Sequence, residues 1–432
     1  MRLLGIDIGS SSVKSAILCG PGVPRNIQYA AFITRYTGNR AEVNVREIDR
    51  ALRVVLRGIG PELHTIDAIA ITNMAPSWLA MDARGKALTP VVTHQDRRSV
   101  DEARRIETVI GPQKHLRITG NLPFPGGISS TTWVWFSRHQ EKLMKKADLV
   151  GHLSTWLIRN LCGARVTDPS NAAFMGVYQT VTLGGWSDDL VDALGLNPFL
   201  LPEVRESNVI AGHVSKQGAR WLGLPEGVPV LTGCMDGSSA MLSAGARVGQ
   251  MTNVSGSTDV LAVLVDRPRP DPELLTRPLG VGKRWLAVST LSAAGSAIDW
   301  VRRTFYSEMD EPSFYDRLRR VVGRETTVVV EPDLAGSRTR MDDPTACIKG
   351  LRIGHTRDDI LAAFCQALAR QSANRLVLLK KKCQTILPTV VMTGGTQKGL
   401  EKLLHREWNF HGSWSFRHQE QTTLRGLWKL TE

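Results

Sequence analysis

The feature that most constrains the fold is a strand, a turn rich in glycine and serine, and a second strand, a pattern that occurs twice. The first copy spans Gly5 to Leu18, and the second spans Met251 to Val265, with the turn Ser255-Gly256-Ser257-Thr258. The copies lie about half a chain apart, which is too far for a solenoid repeat and fits two similar domains. We therefore expect two domains, residues 1–245 and 246–432.

Length and composition agree with a two-domain globular protein. A chain of 432 residues exceeds the roughly 250 to 300 residues at which single cores stop growing. Short β-rich runs alternate with helical stretches, which predicts an α/β architecture. Strands are predicted at residues 3–8, 13–18, 68–72, 78–81, 228–232, 251–254, 260–265 and 390–393, and helices at 47–58, 100–110, 131–145, 149–161, 297–306 and 356–382.

Several classes of protein lack support in the sequence. No apolar run approaches the roughly 20 residues that a membrane-spanning helix needs, and the first residues resemble a buried strand rather than a signal peptide. The six cysteines form no C-x-x-C pair and no Cys/His cluster, so a zinc or redox site is not indicated. We expect a cytoplasmic protein with reduced thiols and no membrane partner.

The net charge of +13 could attract nucleic acid or a phosphorylated ligand. Near the C-terminus, Trp408, Trp414, Phe416 and Trp428 interleave with basic residues, a composition that can bind single-stranded nucleic acid. No RNA- or DNA-binding motif accompanies these residues, and a solvated basic face is the usual explanation. We therefore do not expect nucleic-acid binding.

The first glycine and serine turn has the composition of a phosphate site. In Gly5 to Lys14, the backbone N–H groups and hydroxyls around Gly9, Ser10 and Ser11 could form an anion nest. Asp7 leaves the strand end beside this nest, where a carboxylate could hold Mg²⁺ through water. An ordinary β-hairpin with polar turn residues is the structural alternative. The turn that contains Gly256 could bind phosphate in the same way, and an ordinary β-hairpin is again the structural alternative.

Two further segments combine a strand end with polar or glycine residues. Asp236 follows a buried strand and a Thr-Gly pair, where its carboxylate could accept a proton from an attacking hydroxyl or cap a helix. The sequence leaves both readings open. Val390 to Gly399 is a strand that feeds a Gly-Gly turn, where a flat ring or a phosphate could approach the backbone.

The segments that carry these features resemble, in order and spacing, motifs of the FGGY carbohydrate kinases over nearly the whole chain. The matching segments are Gly5–Ile17, Val166–Ala172 (Thr-Asp-x-Ser-Asn-Ala), Gly227–Leu242, Gly256–Thr258, Ala294-Gly295, Leu334–Thr339 and Thr393–Gly395.

The resemblance implies a fold and an activity. The fold would be α/β, with two RNase H-like (actin-like ATPase) domains flanking a cleft for ATP and substrate. The activity would be ATP-dependent phosphorylation of a small sugar or polyol, and the acceptor to expect would be a ketopentose such as xylulose. Asp236 would be the catalytic base and contact the substrate, and Asp7 would bind Mg²⁺ through water. The nucleotide residues would be Asp7, Gly9, Ser10, Ser11, Gly256, Ser257, Thr258, Gly295, Gly394, Gly395 and Thr396.

The chain departs from the family pattern where substrate should bind. Xylulokinases carry Gln-Met-His-Gly and glycerol kinases carry Gln-Arg-Glu-Thr where this chain reads Asn73-Met74-Ala75-Pro76-Ser77. Met74 and Ala75 therefore stand at substrate positions but lack the polar side chains that hydrogen-bond the sugar in those kinases. A site without these hydrogen bonds discriminates less well among sugars. Asp96 and Arg98 keep the family's Asp-x-Arg, either as substrate contacts or as a structural ion pair.

A second departure concerns the second phosphate turn. Asp259 stands where a glycine usually follows this motif, and a carboxylate near phosphates is unfavourable unless it is turned away. These departures motivate an alternative function, a nucleotide-binding sensor or interaction protein of the same fold without sugar kinase activity. The oligomeric state is left open, a homodimer included.

Overall fold

The structure is a computed structural model, and it describes residues 1–337, 339, 344–394 and 399–432. The described residues form two compact units. The domain limits expected from the sequence, residues 1–245 and 246–432, stay a prediction. The first unit contains Met1–Ala246, Leu264–Ala287 and Gln421–Glu432, and the second contains Arg247–Val263 and Val288–Glu420.

The first unit is built around a mixed sheet. Its strands are β1 (Leu3–Ile8), β2 (Ser12–Leu18), β3 (Arg25–Ala31), β4 (Thr34–Thr37), β5 (Arg40–Val43), β6 (Ala68–Asn73), β7 (Ser77–Met81), β8 (Val91–Thr93), β9 (Leu149–Gly151), β10 (Val166–Thr167), β11 (Glu203–Val204), β12 (Ile210–His213), β13 (Pro229–Leu231) and β14 (Cys234–Met235). The main sheet has the order β12-β13-β6-β1-β2-β3, and β14 also pairs with β6. A second sheet has the order β4-β5-β8-β7-β9.

Helices cover these sheets. They are α1 (Val45–Ile59), α2 (Val100–Ile110), α3 (Pro112–Thr119), α4 (Ser130–His139), α5 (Glu141–Met144), α6 (Leu153–Cys162), α7 (Pro169–Ala172), α8 (Asp188–Ala193), α9 (Lys216–Leu222) and α10 (Asp236–Ser243). Helix α1 shows why such segments form, because Ile48, Leu52 and Val55 recur at helical spacing and are all buried in the core. Burying each such side chain stabilises the fold by about 1.5–3 kcal/mol.

The second unit contains the duplicated strand pair. The remaining strands are β15 (Met251–Ser255), β16 (Asp259–Val265), β17 (Leu275–Pro278), β18 (Trp285–Leu291), β19 (Val329–Glu331), β20 (Cys347–Lys349), β21 (Thr389–Thr393) and β22 (Ser415–His418), and the remaining helices are α11 (Gly295–Phe305), α12 (Glu311–Val321), α13 (Arg357–Lys382), α14 (Glu401–Asn409) and α15 (Thr422–Trp428). Five of these strands pair in the order β18-β16-β15-β21-β22, with β15 antiparallel to β16 and parallel to β21. Strand β17 and helix α15 lie in the first unit.

Most predicted elements are confirmed, and one is wrong at its start. The helix predicted over residues 149–161 begins only at Leu153, because Leu149–Gly151 forms strand β9 and pairs with β7. An apolar run of three residues is too short for its periodicity to distinguish a buried strand from a helix. The helix predicted over residues 131–145 is divided into α4 and α5.

Two predictions about partners can be compared with the fold. In the described ranges, no helix combines the length and the apolar character needed to cross a bilayer. Two aromatic residues of the basic C-terminal stretch are used in packing. Trp408 is buried and donates a hydrogen bond to the Ser372 hydroxyl at 3.0 Å, and Phe416 stacks on His405 with ring centroids 3.7 Å apart.

Candidate active site

Asp7 and Asp236 come from the same edge of the first unit's sheet. Strands β1 and β14 both run parallel to β6, so that Asp7 and Cys234 lie level with Thr72. The carboxyl ends of these strands therefore meet, and Asp236 follows β14 directly. Burial raises the pKa of the Cys234 thiol, and the nearby carboxylates of Asp168, Asp236 and Asp7 raise it further. The three carboxylates therefore all act electrostatically on one buried thiol at this edge of the sheet.

Asp236 does not cap its helix. Met235 is the N-cap residue, and Asp236 is the first residue of α10. Its side chain is half-buried, and Oδ1 accepts a hydrogen bond from the backbone N–H of Gly237 at 2.7 Å. Asp236 is therefore not the N-cap residue, although its side chain binds one free N–H group of the first turn, and its role as a catalytic base stays a prediction.

Asp7 is an incompletely paired buried carboxylate. It is 5% exposed, and its Oδ2 accepts a hydrogen bond from the Thr423 hydroxyl at 2.7 Å. Its Oδ1 is buried and has no hydrogen-bond partner within the described residues. Burial raises the pKa of Asp7 above its usual value, although the charge of Lys14 and the hydrogen bond from Thr423 oppose this.

The unpartnered oxygen of Asp7 fits the predicted magnesium role. A buried acceptor without a partner costs about 1–3 kcal/mol, and this cost is removed when a hydrated cation supplies the missing donor. Within the described ranges, no group of three or more histidine, cysteine, aspartate or glutamate side chains could hold a metal ion. Mg²⁺ commonly takes only one or two carboxylates and keeps several waters, which agrees with Asp7 acting through water.

The first turn is anchored by its neighbours. The Gly9 N–H donates to the Ser12 carbonyl at 2.9 Å, and the Ser11 carbonyl accepts from the Phe32 N–H at 2.9 Å. The Ser10 carbonyl accepts a hydrogen bond from the Thr34 hydroxyl at 3.4 Å. The residues predicted to surround phosphate therefore form a turn with a fixed backbone, next to the strand that carries Asp7.

A buried polar network supports the strand that precedes Asp236. The Asp168 carboxylate caps α7 and accepts hydrogen bonds from the Ser170 N–H at 2.8 Å and the Asn171 side-chain amide at 2.6 Å. The Ser170 hydroxyl in turn accepts from the Met235 N–H at 2.9 Å. The Thr-Asp-x-Ser-Asn-Ala segment thus holds the residue directly before Asp236, a role that the sequence did not suggest.

The segment from Asn73 to Ser77 belongs to the same network. The Asn73 amide donates to the Asn171 side-chain oxygen at 3.0 Å and to the Met74 carbonyl at 2.7 Å. Met74 is 2% exposed and packs in the hydrophobic core, whereas Ala75 is only half-buried. The backbone of this segment lies at the end of β6, beside Asp236, and its side chains supply packing and internal hydrogen bonds.

Asp96 and Arg98 form a buried ion pair against strand β5. The Arg98 guanidinium contacts both carboxylate oxygens of Asp96, at 2.9 and 2.6 Å, and also pairs with Glu42. The Ala41 N–H donates to Asp96 at 2.7 Å. Burial alone would lower the pKa of Arg98, but the two carboxylates more than offset this and raise it. This is the structural alternative considered above, and a substrate contact by either residue stays a prediction.

In the second unit, the turn predicted to bind phosphate, Ser255–Thr258, is fixed by the start of helix α11. The Gly256 N–H donates to the Thr258 carbonyl at 2.8 Å and closes the turn. The Ser257 carbonyl accepts from the Ala294 N–H at 2.9 Å, and the Gly256 carbonyl accepts from the Gly295 N–H at 3.1 Å. The structure therefore brings Gly256, Ser257, Thr258 and Gly295 together.

Gly394 lies against the same turn. Its φ of +107° is rarely adopted by other residues, and an added Cβ would lie 1.9 Å from the Ser255 carbonyl oxygen. The end of β21 can therefore approach the end of β15 only with glycine at this position. The predicted nucleotide residues Gly395 and Thr396 lie outside the described residues.

Asp259 is turned away from solvent and paired. It is 5% exposed, and its Oδ2 lies 2.7 Å from Nη2 of Arg375, a buried residue of α13. The Asn253 side-chain amide donates to its other oxygen. The charge of this carboxylate is thus compensated by an arginine that the sequence did not single out.

The chain has the two-domain α/β fold of the sugar kinases, which is the actin-like ATPase fold. It superimposes on a xylulose kinase from Lactobacillus acidophilus with a TM-score of 0.85 and 18% identity, over 100% of this chain and 88% of that one. The chain belongs to the FGGY family of carbohydrate kinases. The family's N-terminal domain matches residues 2–243, and its C-terminal domain matches residues 251–399.

Two relatives of similar identity are named for different substrates. A gluconokinase from Bacillus licheniformis is 24% identical over 419 residues, which cover 91% of this chain and 80% of the relative. A xylulose kinase from Escherichia coli (strain K12) is 25% identical over 364 residues, which cover 82% of this chain and 72% of the relative.

Proposed function

We propose that this carbohydrate kinase uses ATP and Mg²⁺ to phosphorylate a hydroxyl of a small sugar or polyol, with a ketopentose such as xylulose as the first acceptor to test. The observation that carries the proposal is the shared sheet edge of Asp7 and Asp236. The similarity to a xylulose kinase supports a ketopentose, and the similarity to a gluconokinase makes gluconate the competing acceptor. The comparisons give no support to a sensor without kinase activity.

Asp236 is the proposed catalytic base. Its carboxylate is half-buried at the first position of α10, and one of its oxygens is oriented by the Gly237 N–H. It would accept the proton of the attacking hydroxyl as that oxygen bonds to phosphorus and the bond to the ADP leaving oxygen breaks. General base catalysis of this kind typically contributes about 10²- to 10⁴-fold in rate.

Asp7 is the proposed metal carboxylate. Its unpartnered Oδ1 would accept a hydrogen bond from a water of the Mg²⁺ hydration shell, while Thr423 holds the other oxygen. When bound, Mg²⁺ neutralises charge on the β- and γ-phosphate oxygens. Because the carboxylate must be ionised for this role, its raised pKa makes the loss of metal binding on acidification begin at a higher pH than for an ordinary aspartate.

The nucleotide would be held by the glycine turns. We assign the phosphates to backbone N–H groups and hydroxyls of Gly9–Ser11 and Gly256–Thr258, and the adenosine to the surface next to Gly295 and Gly394. Within the second unit, Gly256–Thr258, Gly295 and Gly394 lie in close contact with one another or with the adjoining strand end, which supports the assignment. Glycine at these positions allows the nucleotide to approach the backbone closely.

Substrate recognition would differ from that of the known xylulokinases. Met74 packs in the core, and Ala75 offers no hydrogen-bonding side chain. A hydroxyl of the sugar would therefore find backbone groups there instead of the usual polar side chains, and discrimination among sugars would be weak.

The test is a panel of ketoses, alditols, aldoses and aldonates, including xylulose and gluconate, scored for ADP release. The matched variant is Asp236→Asn, which keeps the size of the side chain and removes the base. We expect at least one acceptor to stimulate turnover and this variant to lower it by at least about 10²-fold, with ADP affinity retained. ATP binding without turnover on any acceptor would contradict the proposal. A gluconate preference would overturn only the choice of xylulose.

A further inference from the structure

The second phosphate turn carries a negative charge on its own strand. Asp259 is the first residue of β16 and lies directly after Thr258. Its backbone pairs with Ser255 across the turn, so it is fixed to the segment proposed to hold phosphate. An unpaired carboxylate at this position would repel an anionic ligand, and it would also be costly to bury.

Arg375 compensates this charge through contacts with both the side chain and the backbone of Asp259. Its Nη2 contacts the Asp259 carboxylate at 2.7 Å, and its Nη1 donates to the Asp259 carbonyl at 2.9 Å and to the Ser289 carbonyl at 3.1 Å. Both side chains of the ion pair are less than a tenth exposed. One guanidinium therefore binds the side chain and the backbone of Asp259 and ties both to the neighbouring strand β18.

The pair is well shielded from solvent, so a charge left without its partner there would act strongly on a nearby anionic ligand. Surface ion pairs contribute little because water and salt screen them, whereas a buried charge that loses its partner stays largely unscreened. The Asn253 amide also donates to Asp259, but an amide carries no charge that could cancel the carboxylate. Arg375 is thus the cation that compensates Asp259 among the residues that the structure describes.

We propose that Arg375 is a positioning residue for nucleotide binding: it neutralises Asp259 and so allows the turn of Gly256, Ser257 and Thr258 to accept phosphate. Arg375 does this without touching the nucleotide. The inference rests on the proposed function, since it assumes that this turn binds nucleotide phosphates. The inference assigns a role to Asp259, which stands where the related kinases usually have glycine, and to Arg375, which lies 116 residues further along the chain.

The experiment measures ADP and adenosine binding by calorimetry to the wild type, Arg375→Met, Asp259→Asn and the double variant. Arg375→Met leaves the carboxylate uncompensated, so we expect ADP to bind about tenfold more weakly, while adenosine, which has no phosphate, binds as to the wild type. Asp259→Asn leaves a positive charge, so ADP binding should not weaken. The double variant removes both charges and should restore ADP affinity to within about threefold.

The four proteins distinguish a charge effect from a purely structural clamp. Equal losses of ADP affinity in both single variants, or equal losses for ADP and adenosine, would mean that the pair only holds the turn, and the inference would be overturned. Should Arg375→Met fail to fold, Asp259→Asn and the double variant decide, because weakened ADP binding in both contradicts the inference. A wild type that binds neither ligand would instead refute the proposed function.

Discussion

The Thr423 hydroxyl donates a hydrogen bond to Oδ2 of Asp7 across 2.7 Å, although the two residues are 416 positions apart. Helix α15 brings Thr423 there because it packs closely on α10, where the Ser239 hydroxyl donates to the Thr423 carbonyl. An added Cβ at Gly426 would lie 1.8 Å from the Ser239 carbonyl oxygen, so glycine is needed for this approach. The C-terminal helix therefore orients the carboxylate proposed to bind magnesium.

Replacing Thr423 with valine keeps the shape of the side chain and removes the donor. The hydrogen bond from Thr423 lowers the pKa of Asp7, so its loss should raise that pKa further. Protonated Asp7 cannot bind the metal, and the acid limb of Mg²⁺-dependent ADP binding should therefore move to higher pH. We also expect about tenfold weaker Mg²⁺-dependent binding at neutral pH, the typical worth of a hydrogen bond to a charged group.

Calorimetric titrations of MgADP between about pH 5 and pH 8 would measure both effects. Thr423→Ser is the matched control because it keeps the hydroxyl, and it should leave the pH profile close to that of the wild type. A valine variant with an unshifted acid limb would show that Thr423 does not act on Asp7.

A methyl group at Gly256 tests where the phosphates lie. Within the described residues, an added Cβ at Gly256 meets no atom within 4 Å, and the residue has no positive φ. Gly256→Ala should therefore fold with an unchanged melting temperature. If phosphate occupies the space in front of the turn, the methyl group should weaken ADP binding by about tenfold or more. Unchanged ADP affinity would place the phosphates elsewhere.

Gly394→Ala should behave in the opposite way. The new Cβ would overlap the Ser255 carbonyl oxygen, and its backbone conformation is strained for alanine, so the fold itself should lose about 1–3 kcal/mol. Thermal unfolding compared with ADP affinity separates the two variants. A stable Gly394→Ala protein would show that the two strand ends need not be in contact.

The sequence predicts the carboxylate edge but not what orients it. Asp7 lies near the end of a short apolar strand and Asp236 follows another, a local pattern that can be seen without a structure. The contact between Thr423 and Asp7 depends on how distant segments pack, and no local pattern marks a threonine in a C-terminal helix. For the same reason, the compensation of Asp259 by Arg375 could not be predicted, because an arginine that pairs inward has the same helical spacing as an exposed one.

The segment from Asn73 to Ser77 shows a different limit. Comparison with family motifs identifies polar side chains that are missing at Met74 and Ala75, but it cannot show what the new residues do. The structure gives Asn73 a partner, Asn171, which lies 98 positions away. Side-chain hydrogen bonds inside a core are visible only once the elements are placed.

Asn73→Ala should destabilise the fold through this partner. The change removes the donor to the Asn171 side-chain oxygen, and both asparagines are fully buried. A buried polar group left unsatisfied costs about 1–3 kcal/mol, and urea unfolding would measure it. Asn39→Ala is a suitable control because Asn39 is exposed, and its effect should stay within about 0.5 kcal/mol. Equal stabilities of the two variants would contradict a role for the network.

The pair of Asp96 and Arg98 allows the structural and substrate roles to be separated by one substitution. Asp96 is 2% exposed, and each of its oxygens already accepts hydrogen bonds, including one from the Ala41 N–H. Asp96→Asn removes the charge that compensates the buried guanidinium, and breaking such a pair typically costs about 3–5 kcal/mol. Because Glu42 still pairs with Arg98, we expect the lower end of that range.

Urea unfolding and acceptor kinetics on the same Asp96→Asn preparation decide between the two roles. A structural pair predicts a lower free energy of unfolding with little change in the acceptor KM of the folded fraction. A substrate contact predicts normal stability and a raised acceptor KM. Glu203→Gln is the matched control, since it breaks an exposed pair with Arg205 and should cost at most about 1 kcal/mol. The geometry favours the first result, because a carboxylate that already accepts hydrogen bonds at both oxygens has little capacity left for a sugar hydroxyl.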